Sequence, residues 1–173
     1  GLVRGGATAF PQSIALAATF DTTLVSRVST AIARETASRG IRQILSPVVN
    51  LATDVRWGRV EETYGEDPCL SADMGVSFVK NFERMGVITT PKHFVANSGD
   101  GGRDSNPIHY TERFLEETHL VPFKACFQQG GSQSVMTAYN MLDGTPCTAN
   151  SWLNIEKLRK EWGFDGFTIA DAD

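Results

Sequence analysis

Apolar positions fall into two rhythms that take turns along the chain. From Asp21, the residues Leu24, Val25, Val28, Ala31 and Ile32 recur at helical spacing, with Asp21 placed as N-cap and Gly40 just past Arg39 to end the helix. Residues 44–50 then read as a buried strand that Pro47 makes irregular or short. After a polar loop at 50–67, Asp67-Pro68 caps a second helix, in which Leu70, Met74, Phe78 and Phe82 recur every four residues before Gly86 stops it. Residues 87–93 form the next strand. The loop at 95–110 is rich in Gly, Asn, Asp and Ser and is too long for an idle connection, which makes it a candidate functional loop. Thr111 opens a third helical stretch through Phe114, Leu115 and Val121; Pro122 either kinks it or starts a second piece carrying Phe123 and Phe127, and Gly130-Gly131 ends it. Residues 133–140 are a strand, Asp143-Gly144 a turn, and Asn154 to Glu161 a short helix with Leu158 and Trp162 on one side. The lead-in from Phe10 to Ala18 reads as a short strand or buried loop.

The last stretch, Gly166 to Asp173, alternates Phe167 and Ile169 with small residues, the pattern of a short buried strand that delivers acid groups at its end. Strand and helix alternate throughout without tight Asn-Gly hairpins, which predicts a parallel sheet with helical crossovers. An eight-unit barrel needs about 250 residues, and only four or so strand-helix units are legible here. The expected fold is therefore α/β, a partial (β/α)8 TIM-barrel-like domain truncated at both ends. A doubly wound open sheet lacks its phosphate fingerprint, since Gly99, Gly101 and Gly102 do not follow a strand and open a helix.

Composition narrows the function. The chain has 173 residues, 41% hydrophobic and 21% charged, the makeup of one globular unit with a real core. A net charge of -4 with scattered Lys and Arg leaves no basic footprint, so no nucleic-acid partner is expected. Apolar runs are strand-length and interrupted, so no membrane span is expected either. No charged, apolar and small-residue leader is visible in a chain that opens at Gly1 without Met, which predicts a piece of something longer. Cys69, Cys126 and Cys147 lack close pairing or metal-type spacing and read as buried structural thiols.

Chemistry gathers at strand ends. Counting the lead-in as the first strand, Lys92 and His93 end the third, Met136 and Tyr139 the fourth, and Asp171 the fifth. The charged run Asp54, Arg56, Arg59, Glu61, Glu62, Glu66 and Asp67 is open to two readings, a solvated surface or part of the same mouth. Asp171 could equally cap a following helix. Arg, Lys, His, Tyr and carboxylate converging on one mouth suit a polyhydroxylated ligand, whose hydroxyls both donate and accept, and a sugar is the natural candidate. His109 and His119 are assigned to loop and helix surfaces.

Four motifs carry a resemblance: Ser46-Pro-Val-Val-Asn50, Arg56-Trp-Gly-Arg-Val-Glu-Glu-Thr-Tyr-Gly-Glu-Asp-Pro68, Lys92-His-Phe94, and Gly163-Phe-Asp-Gly-Phe167 followed by Ala-Asp. In order and spacing they resemble glycoside hydrolase family 3, from about Phe10 to the end. The resemblance implies a (β/α)8-type barrel of a retaining, exo-acting β-glycosidase, a β-glucosidase ahead of a β-xylosidase, with no metal and no organic cofactor. It implies Asp171 as the nucleophile and Arg59, Lys92 and His93 as residues that hold sugar hydroxyls. Arg103, Tyr139 and Met136 are implied as further substrate-binding residues of that pocket, and Glu61, Glu62 and Glu66 as structural support around Arg59. The implied partners are a β-linked gluco- or xylo-oligosaccharide or aryl glycoside, and a downstream domain of the same polypeptide that brings the acid/base.

The chain departs from the family pattern at Ala170 and Ala172, beside the nucleophile, where the family has Ser and a Trp or Cys. Asp173 adds a second carboxylate that, facing inward, would raise the pKa of Asp171. Consecutive strand residues face opposite sides, so Lys92 and His93 can serve one sugar only where the backbone departs from a regular strand. Two rivals stand beside this reading: a Schiff-base lyase using Lys92, and a sugar-binding relic without turnover. An N-acetylglucosaminidase is disfavoured because Lys92 to Asn97 lacks the His-bearing loop those enzymes resemble in using.

Overall fold

A computed structural model describes residues 6–97 and 107–171. Helix α1 (Ser13–Ala17) occupies the lead-in expected to be a strand or loop. Pro11 ahead of an Ala- and Leu-rich run favours a helix start over a pleated strand. Helix α2 (Thr22–Ser38) begins where Asp21 Oδ1 accepts the Leu24 N–H at 3.0 Å. Helix α3 (Pro68–Arg84) begins in the same way, with Asp67 Oδ1 accepting from Leu70 N–H at 2.7 Å and Pro68 in the first turn, where its missing N–H is not needed. Strand β1 (Pro107–Ile108) lies within the stretch 95–110 expected to be a loop.

The third helical stretch is two helices. Helix α4 (Glu112–Glu117) is capped by Thr111, and α5 (Val121–Gln128) has Pro122 in its first turn. Strand β2 (Ser134–Thr137) is buried throughout. The Asp143-Gly144 turn closes a hairpin of β3 (Met141–Leu142) and β4 (Thr145–Pro146), with φ of +48° and +78° at its two central residues. Two positive φ values in a two-residue loop match the twist of antiparallel strands, so this tight hairpin is an antiparallel insertion in an otherwise parallel pattern. Helix α6 (Trp152–Glu161) starts two residues earlier than its apolar spacing suggests and is wound as a π-helix. Strand β5 (Phe167–Ala170) ends the described chain.

Four segments lie side by side in parallel, in chain order. Residues 43–49 meet 88–94 through the bridges Gln43–Ile88 and Val48–Lys92, and 88–94 meets β2 through Phe94–Thr137. β2 and β5 then pair along their length, Ser134 with Phe167 through Thr137 with Ala170. The first two segments are not the regular strands expected of them. Their contacts are single bridges, and Ser46–Pro47, Lys92–His93 and Phe94–Val95 are cis peptides. Helices α3, α4 with α5, and α6 occupy the three intervals between these segments, which makes the architecture α/β.

The core lies between this sheet and its helices. Phe94 packs edge-on against Phe123 and Trp162 at centroid distances of 5.1 and 5.9 Å, and Phe127 lies 4.7 Å from Phe164. α3 packs on both α2 and α5. Strand β5 is less buried than its pattern predicts, and Phe167 is 40% exposed, because among the described residues β5 has a partner only along the β2 edge. Among the described residues, no helix is long and apolar enough to cross a membrane.

Two further expectations are corrected. His119 is buried, not at a helix surface: α4 ends at Glu117 and the turn into α5 carries the ring inward, stacked on Tyr110 at 5.2 Å. Cys69 is exposed, because it falls on the outer side of the first turn of α3, while Cys126 and Cys147 are buried.

Candidate functional site

Parallel segments in register end level with one another. The bridges and ladders above bring Asn50, His93, Tyr139 and Asp171, each at or just beyond a segment's carboxyl end, to the same edge of the sheet. That edge is where parallel α/β sheets place their chemistry.

Arg59 reaches it from the loop. Its backbone enters a 3-10 turn over Val60–Glu62, closed by the Glu62 N–H donating to the Arg59 carbonyl at 3.0 Å. In such a turn residues three apart eclipse, which brings Glu62 directly beside Arg59. Arg59 Nε donates to Glu62 Oε1 at 2.5 Å and Nη2 to Oε2 at 2.6 Å, a two-point fork. Nη1 lies 2.8 Å from His93 Nε2. The Glu62 hydrogen bonds, then the charges of Glu62 and Asp171, hold the guanidinium above its ordinary pKa despite burial.

His93 is fully buried and Asp171 Oδ2 stands 3.5 Å from its Nε2, with the Asp171 side chain 15% exposed. Tyr139 is half-buried and lies close enough to Arg59 to interact with it electrostatically. The structure thus gathers Arg59, His93, Tyr139 and Asp171, with Glu62 as an added member. Lys92 is half-buried, with its backbone tied into the ladder through Pro47 and Val49. Pairing of this segment through single bridges instead of a continuous ladder makes it irregular at that point.

Met136 lies within β2, 2% exposed and opposite Ile169, one register step below the edge. Arg103, Ala172 and Asp173 lie outside the described residues. Part of the charged loop keeps to the solvent side. Asp54 is held down to about 2 by hydrogen bonds from the Arg56 side chain and backbone.

The sequence reading did not single out Asn50. Its buried amide brackets His93, with Nδ2 donating to the His93 carbonyl at 2.8 Å and Oδ1 accepting its N–H at 2.7 Å. The signal was an amide closing an apolar strand, since a polar group buried there must find partners. Among the described residues, no group of three His, Cys, Asp or Glu side chains is placed to hold a metal ion. Two clefts of about 420 and 490 Å³ open elsewhere, and neither is lined by Arg59, His93, Tyr139 or Asp171.

Chemically, the cluster offers a carboxylate at a strand end, an imidazole beside it and a guanidinium locked in place. It can bind hydroxyls and present a nucleophile.

Comparison with known proteins agrees in kind. Residues 1–173 match the profile described as the glycosyl hydrolase family 3 N terminal domain. A beta-glucosidase of Rhizobium radiobacter is 40% identical over 162 residues, covering 94% of this chain and 20% of that protein. A beta-xylosidase of Formosa agariphila is 39% identical, covering 96% of this chain and 24% of the relative. The solved structure of beta-glucosidase 3B from Thermotoga neapolitana in complex with glucose superposes with a TM-score of 0.91 at 38% identity, over 99% of this chain and 25% of that one. The chain thus spans a fifth to a quarter of the length of these proteins.

Proposed function

The chain belongs to glycosyl hydrolase family 3, whose N-terminal domain it matches along its whole length, and from that membership we propose that it supplies the nucleophile half of a retaining, exo-acting β-glycosidase. The observation that carries the reading is Asp171, a carboxylate just past the end of a parallel strand, 3.5 Å from a buried histidine and within the field of a locked arginine. In this reading Asp171 attacks the anomeric carbon from the face opposite the leaving group. A covalent glycosyl-aspartate forms, and water then releases the sugar. Arg59, Lys92 and His93 hold hydroxyls of the terminal sugar through charged or buried hydrogen bonds. Arg103, Tyr139 and Met136 complete the same pocket.

A retaining glycosidase needs a second carboxyl group about 5 to 5.5 Å from the first to protonate the leaving oxygen. Glu62, on the loop that reaches the site, has both its oxygens engaged by Arg59. The acid/base therefore comes from a downstream domain, and the four parallel segments here are consecutive staves of a (β/α)8 barrel completed by further chain. The substrate is a β-linked gluco-oligosaccharide or aryl glucoside. The relative solved with glucose and the beta-glucosidase relative support that choice, while the beta-xylosidase at nearly equal identity supports a second reading, a β-xyloside.

The test is kcat/KM on aryl β-glucoside and aryl β-xyloside for the protein extended through its next domain, with and without Asp171→Ala. The proposal expects a loss of ~10⁴-fold or more in the variant and a clear preference for the glucoside. Activity that survives the substitution refutes Asp171 as nucleophile.

A further inference from the structure

Asn50 follows the first parallel segment and is 1% exposed. Its Oδ1 accepts the His93 backbone N–H and lies 3.0 Å from His93 Nδ1, while Nδ2 donates to the His93 carbonyl. The two backbone contacts fix which end of the amide is oxygen, because a backbone N–H only donates and a carbonyl only accepts. The atom facing Nδ1 is therefore an acceptor, so Nδ1 carries a proton. Across the ring, Nε2 lies 2.8 Å from Arg59 Nη1. A guanidinium has no lone pair to offer, so Nε2 presents one. Together the two neighbours select the neutral imidazole with its proton on Nδ1.

Asp171 makes the opposite demand. A hydrogen bond from Nε2 to Asp171 Oδ2, 3.5 Å away, needs a proton on Nε2, and with Nδ1 already protonated that means an imidazolium. The imidazolium would set one N–H against another at Arg59 and tie the attacking carboxylate into an ion pair. Among the described residues, the charged and titratable groups around the ring are Arg59, Glu62 behind it, Asp171, Tyr139, and Lys92 one residue before. The guanidinium in direct contact opposes a second positive charge on the ring.

We infer that Asn50 is a positioning residue: by holding a ring proton on Nδ1, opposite an arginine that disfavours a second one on Nε2, it keeps Nε2 an acceptor and Asp171 out of an ion pair with the ring. A sugar hydroxyl entering between Arg59 and His93 then meets a donor on one and an acceptor on the other, which suits a group that does both. The inference deepens the glycosidase reading and rests on it for the reaction served; the tautomer itself does not depend on turnover.

Two measurements on the full-length protein test it. Neutron diffraction from deuterium-exchanged crystals at neutral pH is expected to show a deuteron on His93 Nδ1 and none on Nε2; a deuteron on Nε2 overturns the inference. The second is the pH profile of kcat/KM for Asn50→Asp and Asn50→Leu. Aspartate keeps the shape and the acceptor, but its charge stabilises the imidazolium. Asn50→Asp is thus expected to lose ~100-fold near pH 6 and to recover at least tenfold as pH rises through the raised His93 pKa. Leucine is expected to lose activity at every pH, as a purely structural asparagine also would. An Asn50→Asp protein with the wild-type pH profile therefore overturns the positioning role whatever Asn50→Leu does. Failure of the wild type to hydrolyse any β-glycoside would sink the glycosidase reading and the catalytic half of this one, while the neutron map still decides the tautomer.

Discussion

At the scale of single residues, the arginine fork carries the most specific demand. Arg59 spans both Glu62 oxygens and His93 Nε2 with three separate N–H groups. A lysine ammonium, a single point donor, cannot reproduce that planar arrangement. Arg59→Lys is expected to lower kcat/KM on an aryl β-glucoside ~100-fold; a variant within threefold of wild type would remove Arg59 from the site. His119 makes a different statement, about stability. Burial pushes its pKa from 6.5 down to about 4. The unfolded chain then binds a proton that the folded chain refuses, so the contribution is complete above about pH 6.5 and is lost as pH falls toward 4, by about 3 kcal/mol. Urea midpoints at pH 7.5 and 4.5 should therefore fall less in His119→Phe than in the wild type; equal falls would contradict the burial argument. Residue by residue, the caps Asp21 and Asp67 and the strand-end Asp171 were legible because their signals are local in sequence. His119, Asn50 and the half-buried status of Arg59 were not, since each depends on which distant segment covers it.

At the scale of elements, two joints decide where Asp171 sits. β5 is held against β2 from its first residue, where the Phe167 N–H donates to the Gln133 carbonyl at 3.0 Å. A side chain at Gly166 would overlap that carbonyl and the Phe164 ring. Gly166→Ala is expected to destabilise the fold by ~1–3 kcal/mol through forced displacement of β5 and to lower kcat as Asp171 shifts with it. Urea unfolding together with kinetics checks both, and a variant normal in both refutes the close approach. Behind the sheet, Lys157 ties α6 to α4 through Glu112 at 2.9 Å and Glu116, while also holding Glu161 at 2.8 Å on α6 itself. Burial opposes its charge, but the hydrogen bonds of Glu116, Glu161 and Glu112 outweigh that and raise its pKa. Lys157→Met leaves three carboxylates facing one another. Its Tm deficit should be largest in low salt and shrink in 1 M NaCl, where the screening length is about 3 Å; a deficit independent of salt would mean that packing against Trp152 dominates. The periodic helices α2 and α3 were readable almost to their ends. The first two parallel segments were readable in place but not in regularity, because irregular pairing is set by neighbours. The Asp143-Gly144 hairpin shows that a recognised turn does not by itself say what flanks it.

At the scale of the whole molecule, the parallel order of four segments explains why residues far apart in sequence share one edge. It also explains why the site is one-sided. On the proposed reading, the nucleophile and its hydroxyl-binding neighbours stand at segment ends of this chain, and the acid/base is supplied from outside it. Composition and alternation were enough to predict the α/β arrangement, since helical crossovers require parallel neighbours. The central claim is a covalent bond at Asp171, and the most direct measurement is mass spectrometry of the full-length protein after reaction with a 2-deoxy-2-fluoro-β-glucoside bearing a good leaving group. The account predicts one added fluoroglucosyl unit, mapped to Asp171 and absent from Asp171→Ala. Hydrolysis with no adduct, or an adduct on any other residue, would contradict it.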